Sequence, residues 1–207
     1  MSDFGAPRPD PTAIGETSSP PFARLPEPRT LFARSAARFR DLAKRSELGP
    51  YLDFLGRLCD VQHAVQDGLA DAPPPSEELL ARAKAHAMPP IDRTAAIEDE
   101  SFMAIFDRLV NAAREVVMPA EAAAAVVRLG TAEPAERVAM AEAVVANRIP
   151  VEALAEHVFA AATVQVHFAR LAAALDATRL VPVGEGACPA CGGPPVSSMV
   201  VGWPTSG

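Results

Sequence analysis

Two cysteines near the end of the chain have a spacing that could support chemistry. Cys188 and Cys191 are separated by two residues, so both thiolates can coordinate one tetrahedral metal ion. Pro189 restricts the turn between them, and Gly192 permits a positive φ directly after the second thiolate. The pattern predicts one knuckle of a zinc-ribbon or rubredoxin-like site. A closed tetrahedral site needs four ligands and no Cys or His follows Cys191, so the pattern supplies half a site.

The same pair leaves two other interpretations open. A thiol–disulfide oxidoreductase can use Cys188 and Cys191 as its redox pair. The pair does not lie at a strand-to-helix junction, however, and Pro189 and Gly192 suit a metal knuckle better than a helix N-terminus with an activated thiolate. A zinc-ribbon nucleic-acid-binding module is the other interpretation, and the lack of clustered basic and aromatic residues weighs against it.

The composition limits the class of protein. The chain has 207 residues, of which 49% are hydrophobic and 5% aromatic, so we expect a core built mainly from Ala, Val and Leu. The net charge of -7, from 19 basic and 26 acidic residues, makes broad nucleic-acid binding by charge unfavourable. The N-terminus lacks a basic region followed by an apolar core, and no run is apolar enough to span a bilayer. Three cysteines without an export signal indicate the cytoplasm.

Proline and glycine divide the chain into an all-α arrangement of about seven helices. We expect a disordered Pro-rich leader over residues 1–28, a helical domain over 29–180 and an incomplete rubredoxin-like metal-binding segment over 181–207. The Pro-Pro-Ile-Asp segment at 89–92 is expected to be a surface linker. The helices are predicted at about residues 30–48, 51–69, 76–88, 99–117, 119–129, 131–146 and 151–180.

The other residues capable of chemistry occupy positions that packing explains. Cys59 lies on the apolar stripe of the second helix and is expected to be a buried free thiol, not a third metal ligand. His63 and His167 are expected at the edges of apolar stripes, each with a hydrogen-bond partner. His157 is placed on a polar side. Because no phosphate loop, Gly-x-Ser-x-Gly elbow or His-Glu-x-x-His helix is present, no catalytic residue is predicted and the chain is not expected to be an enzyme.

Several segments resemble one known family. From Cys188 the chain reads CPACGGPPVSSMVVG, which is similar to the opening of the metal-binding region of the formate dehydrogenase accessory protein family (FdhE). In that family a Cys-Pro-x-Cys-Gly knuckle precedes a Pro-Val-Ser-Ser-Met-Val strand, which residues 195–200 match. Residues 38–43 resemble its basic amphipathic helix, residues 48–54 its Leu-Gly-x-Tyr-Leu turn, and residues 89–92 its Pro-Pro-Leu-Asp linker.

The resemblance implies a function and a metal. Members of the family bind the catalytic subunit of molybdenum- or tungsten-dependent formate dehydrogenase in the cytoplasm and are needed for its maturation. Iron or zinc is implied, with Cys188 and Cys191 among its ligands. Family members continue with further Cys-x-x-Cys pairs, so we expect a truncated chain whose metal site is incomplete or empty. A homodimer that pools the two cysteines of each chain stays open, and neither nucleic-acid binding nor membrane insertion is expected.

Overall fold

A computed structural model describes residues 21–195 of the chain, and this part is all-α, as predicted. It contains eight α-helices and two 3-10 turns. No helix within these residues is long and apolar enough to cross a membrane. The α-helices are α1 (Pro28–Ala43), α2 (Gly49–Asp67), α3 (Glu77–Ala85), α4 (Arg93–Glu98), α5 (Glu100–Ala113), α6 (Ala120–Thr131), α7 (Pro134–Val145) and α8 (Leu154–Ala173).

Short polar residues and prolines set the helix beginnings. Ser76 accepts a hydrogen bond from the Leu79 N–H at the start of α3, as a Ser N-cap does. Asp99 caps α5 by accepting from the Ser101 N–H. The helix predicted at residues 151–180 is shorter in the structure. Its α-helical part is α8, and 3-10 turns at Val151–Ala153 and Ala177–Arg179 flank it.

The main core surrounds α8, which packs against α1, α2, α5, α6 and α7. Phe102, Phe106 and Phe159 are fully buried there, and the ring of Phe54 meets Phe159 edge-on with centroids 6.3 Å apart. The remaining core positions are mostly Ala, Val, Leu and Ile. The small side chains let the helices approach closely, so this body has an extensive apolar core of its own.

A second, smaller apolar cluster joins α4 and the end of α8 to the Cys-x-x-Cys turn. Its buried members are Ile91, Ala96, Leu175 and Ala190. Leu25, from the segment before α1, packs against it. The prediction of a surface linker at residues 89–92 is wrong: Ile91 is 7% exposed, and Asp92 caps the unpredicted helix α4. Residues 1–20 of the predicted leader and 196–200 of the predicted strand lie outside the described residues.

The histidines of α8 are more deeply buried than the sequence predicts. His157 is 5% exposed, and its Nδ1 lies 2.7 Å from the carbonyl oxygen of Ala153, the N-cap residue of α8. His167 is fully buried between the rings of Phe102 and Phe168. Neither ring nitrogen makes a hydrogen bond of regular geometry, although the Ala96 backbone lies near enough to affect the ring. The predicted edge position is therefore wrong for His167. The Nδ1 of the half-buried His63 also lacks a partner.

Burial lowers the pKa of His167 below its ordinary value of 6.5. The Asp99 carboxylate and the Ala96 backbone raise this pKa, and Arg170 lowers it further, but desolvation has the largest effect. The folded state therefore keeps His167 neutral at a pH where the unfolded chain has already taken up a proton. The resulting stability is present above about pH 6.5 and is lost as the pH falls through the folded-state pKa.

We predict that the melting temperature falls between about pH 7 and about pH 5, and that His167→Leu makes this fall smaller. Thermal unfolding followed by circular dichroism at several pH values measures both slopes. His86→Gln, at an exposed position after α3, is the matched control and should keep the wild-type slope. Equal slopes for wild type and His167→Leu would contradict the prediction.

Candidate metal centre

Two backbone hydrogen bonds close the turn that carries the thiols. The Gly192 N–H donates to the Cys188 carbonyl oxygen at 2.7 Å, and the Cys188 N–H donates to the Gly193 carbonyl oxygen at 2.8 Å. Gly192 has φ of 70°, so the predicted positive φ is confirmed. Cys188 lies close enough to the Cys191 thiol to raise its pKa. The turn therefore brings both sulfur atoms together, as one half of a tetrahedral site requires.

The turn is seated on the segment before α4. The Ile91 N–H donates to the carbonyl oxygen of Ala190, one of the two residues between the cysteines, at 3.0 Å. Ala190 itself is only 8% exposed. A Cβ atom added at Gly192 would lie 3.1 Å from the Cγ atom of Pro89, so the close approach favours glycine on steric grounds as well as through its φ.

Arg93 links the turn to a second helix. Its Nη2 atom donates to the Val145 carbonyl oxygen, the last residue of α7, at 2.5 Å. Its Nη1 atom lies 3.0 Å from the position that a Cβ on Gly193 would occupy. The guanidinium therefore lies between the end of α7 and the glycine that follows the knuckle. This placement also gives the site one fixed positive charge.

Burial has the largest effect on the pKa of Cys191, and it raises that pKa. The Gly193 backbone and the Arg93 charge lower it, while Cys188 raises it through both charge and hydrogen bonding. A raised pKa favours the protonated thiol at neutral pH. The thiolate is the nucleophile in disulfide exchange, so this environment does not favour Cys191 as an attacking group.

The knuckle offers two ligands. Within residues 21–195 no cluster of three or more His, Cys, Asp and Glu side chains could hold a metal ion, so no such residue joins Cys188 and Cys191. Two adjacent thiols fit half of a tetrahedral iron or zinc site. Cys59 lies on α2 as a buried free thiol, as predicted, and desolvation raises its pKa to about 11.

The sequence pattern located the thiols but missed the residues beneath them. Ile91 was predicted only as part of a surface linker and Arg93 was not singled out, because both contact the knuckle across almost one hundred intervening residues. One local signal was present: Asp92 precedes a short run of helix-forming residues, as an N-cap does. That signal would have found α4, although not its contact with the knuckle.

The structure thus defines a class of protein: a helical body, formed by α1 to α8, with a Cys-x-x-Cys turn packed against one end of it. A family model described as "FdhE, N-terminal" matches residues 20–185. The match covers most of the chain and all of its helices, α1 to α8. The chain belongs to the FdhE family.

Individual relatives agree with this assignment. The chain is 41% identical over 196 residues to the FdhE homologue of Rhizobium meliloti (strain 1021), covering 95% of this chain and 64% of that protein. It is 30% identical over 184 residues to the FdhE homologue of Pseudomonas aeruginosa, covering 87% of this chain and 58% of that protein. The chain therefore spans less than two thirds of the length of these relatives.

The fold is similar to that of a solved structure. The crystal structure of the FdhE protein from Pseudomonas aeruginosa matches with a TM-score of 0.73 at 30% sequence identity. The match covers 86% of this chain and 62% of the other. This agreement supports the all-α assignment.

We predict that the helical body folds without metal, because its apolar core is extensive and the knuckle supplies only two ligands. A strong chelator should change the melting temperature by less than about 2 °C. Cys188→Ser should leave the helical circular dichroism signal intact, and Cys59→Ala on α2 is the control for loss of a thiol elsewhere. A large loss of stability on adding the chelator would contradict this prediction.

Proposed function

We propose that this chain is an accessory protein that binds the catalytic subunit of formate dehydrogenase in the cytoplasm and contributes to its maturation. The observation that carries the proposal is the family match over residues 20–185, since that range is the helical body. We assign recognition of the partner to this body. The chain is not assigned a reaction of its own.

The environments of three titratable side chains, His157, His167 and Cys59, support a binding role. The ring of His157 is hydrogen-bonded to the Ala153 carbonyl oxygen at the N-cap of α8, and His167 is enclosed between aromatic rings. Cys59 is buried in α2 with a raised pKa. A general acid or base must reach the substrate at a suitable pKa, and these side chains are instead enclosed by packing.

The thiol–disulfide alternative receives less support from the same structure. An efficient exchange thiol has a lowered pKa, usually at a helix N-terminus or beside a cation. Cys191 does have Arg93 nearby, but burial outweighs that charge and raises the pKa of the thiol. The nucleic-acid alternative is opposed by the net charge of -7.

We assign a secondary role to the knuckle. Cys188 and Cys191 would supply two thiolates to iron or zinc, which would cross-link the turn when bound. The other two ligands must come from outside residues 21–195 or from a second chain. Because the helical body has its own core, partner recognition and metal binding are separable properties in this proposal.

The test is a binding assay with an immobilised formate dehydrogenase catalytic subunit. We predict that the chain is retained, and that the double variant Cys188→Ser with Cys191→Ser is retained equally well. The catalytic subunit of an unrelated molybdenum enzyme is the specificity control and should retain neither protein. Elemental analysis of each purified protein, run in parallel, reports whether retention depends on metal.

Failure of the formate dehydrogenase subunit to retain the folded chain would overturn the proposal. Equal retention on the unrelated subunit would overturn it as well. Loss of retention in the double cysteine variant alone would contradict the assignment of recognition to the helical body.

A further inference from the structure

We propose that Arg93 and the segment at residues 89–91 are positioning residues, which hold Cys188 and Cys191 in ligand geometry before any metal ion binds. In most small thiolate sites the metal itself organises the turn, because an isolated turn has too few contacts to stay folded. Here the helical body makes those contacts. The inference does not depend on binding to formate dehydrogenase.

A backbone contact fixes the register of the turn. The carbonyl oxygen of Ala190 accepts the Ile91 N–H at 3.0 Å, and Ala190 lies between the two cysteines. Both residues belong to the small apolar cluster with Ala96 and Leu175. The carbonyl group of Ala190 is hydrogen-bonded and its side chain is packed in the cluster. Together these contacts fix the path of the chain between the two cysteines.

A steric contact fixes how closely the turn approaches the body. Gly192 and Gly186 share a positive φ, at 70° and 67°. They differ in their surroundings: a Cβ at Gly192 would lie 3.1 Å from Pro89 Cγ, whereas a Cβ at Gly186 would meet nothing within 4 Å. We call Pro89, Ile91 and Arg93 the seat of the knuckle. The comparison separates backbone strain, which both glycines share, from contact with the seat, which only Gly192 makes.

Arg93 completes the seat from the other side. Its guanidinium donates to the Val145 carbonyl oxygen and lies against Gly193. The Gly193 carbonyl oxygen in turn accepts the Cys188 N–H, so Arg93 supports the residue that closes the turn. Loss of the guanidinium would remove the link between α7 and the knuckle while both thiols remain in place; Arg93→Lys keeps the positive charge near Cys191 and so controls for its loss.

Phenylarsine oxide is a suitable probe, because it needs two neighbouring thiols and no further ligand. The reagent forms two As–S bonds as both thiols lose their protons, its oxygen leaves as water, and arsenic keeps its oxidation state. Its affinity therefore reports how well the two sulfur atoms of this chain are already placed. The single thiol of Cys59, buried in α2, cannot form the bidentate adduct.

We predict that Arg93→Gln lowers the affinity for phenylarsine oxide about tenfold, as loss of an outer positioning residue does at metal sites. Arg93→Lys should recover part of the loss, since an ammonium can still donate to the Val145 carbonyl oxygen. Arg45→Gln, at an exposed arginine without an ion pair or side-chain hydrogen bond in the described structure, should leave the affinity unchanged. Competition with a small dithiol measures each affinity on the full chain.

Two further comparisons separate positioning from general stability. Gly192→Ala should weaken binding of the probe more than Gly186→Ala. Phe54→Leu, in the main core, should lower the melting temperature while the affinity stays at the wild-type value. Wild-type affinity in Arg93→Gln, equal losses at the two glycines, or a matching loss in Phe54→Leu would each overturn the proposal.

Discussion

The hydrogen bond from the Ile91 N–H to the Ala190 carbonyl oxygen is the contact on which the arrangement of the knuckle depends. It joins two segments almost one hundred residues apart, and both Ile91 and Ala190 are buried in the smaller apolar cluster. Around it, Pro89 limits the side chain at residue 192, and Arg93 connects residue 193 to the end of α7. The helical body and the thiol turn are therefore packed as one unit at this end of the molecule.

The stability of the helical body and the placement of the knuckle are two separate properties of the chain. The main core surrounds α8 and contains the buried aromatic residues, so its stability comes from apolar packing. The knuckle contributes only Ala190 and the edges of its two cysteines to the smaller cluster. A partner that recognises the helical body would meet a folded surface whether or not metal is bound. This separation fits an accessory protein whose recognition and metal binding are distinct.

Local sequence signals predicted most helices and the Cys-x-x-Cys turn. They did not predict contacts between residues that are distant in the sequence. Proline and glycine marked most helix boundaries, and Gly192 predicted its own positive φ. The six-residue helix α4 was missed because a helix of that length shows little periodicity. His167 was placed at an edge because its own helix suggests that position, but Phe102 from α5 covers it. The seat of the knuckle was unpredictable for the same reason: its residues become neighbours only in the folded chain.

The most direct test of the account is amide hydrogen exchange on the metal-free chain. If the knuckle is seated on the helical body without metal, the Ile91 amide is protected by its bond to Ala190. We predict that it exchanges at least about one hundredfold more slowly than the amide of Gly186, after correction for intrinsic rates. Equal corrected rates at the two amides in the metal-free chain would contradict the account.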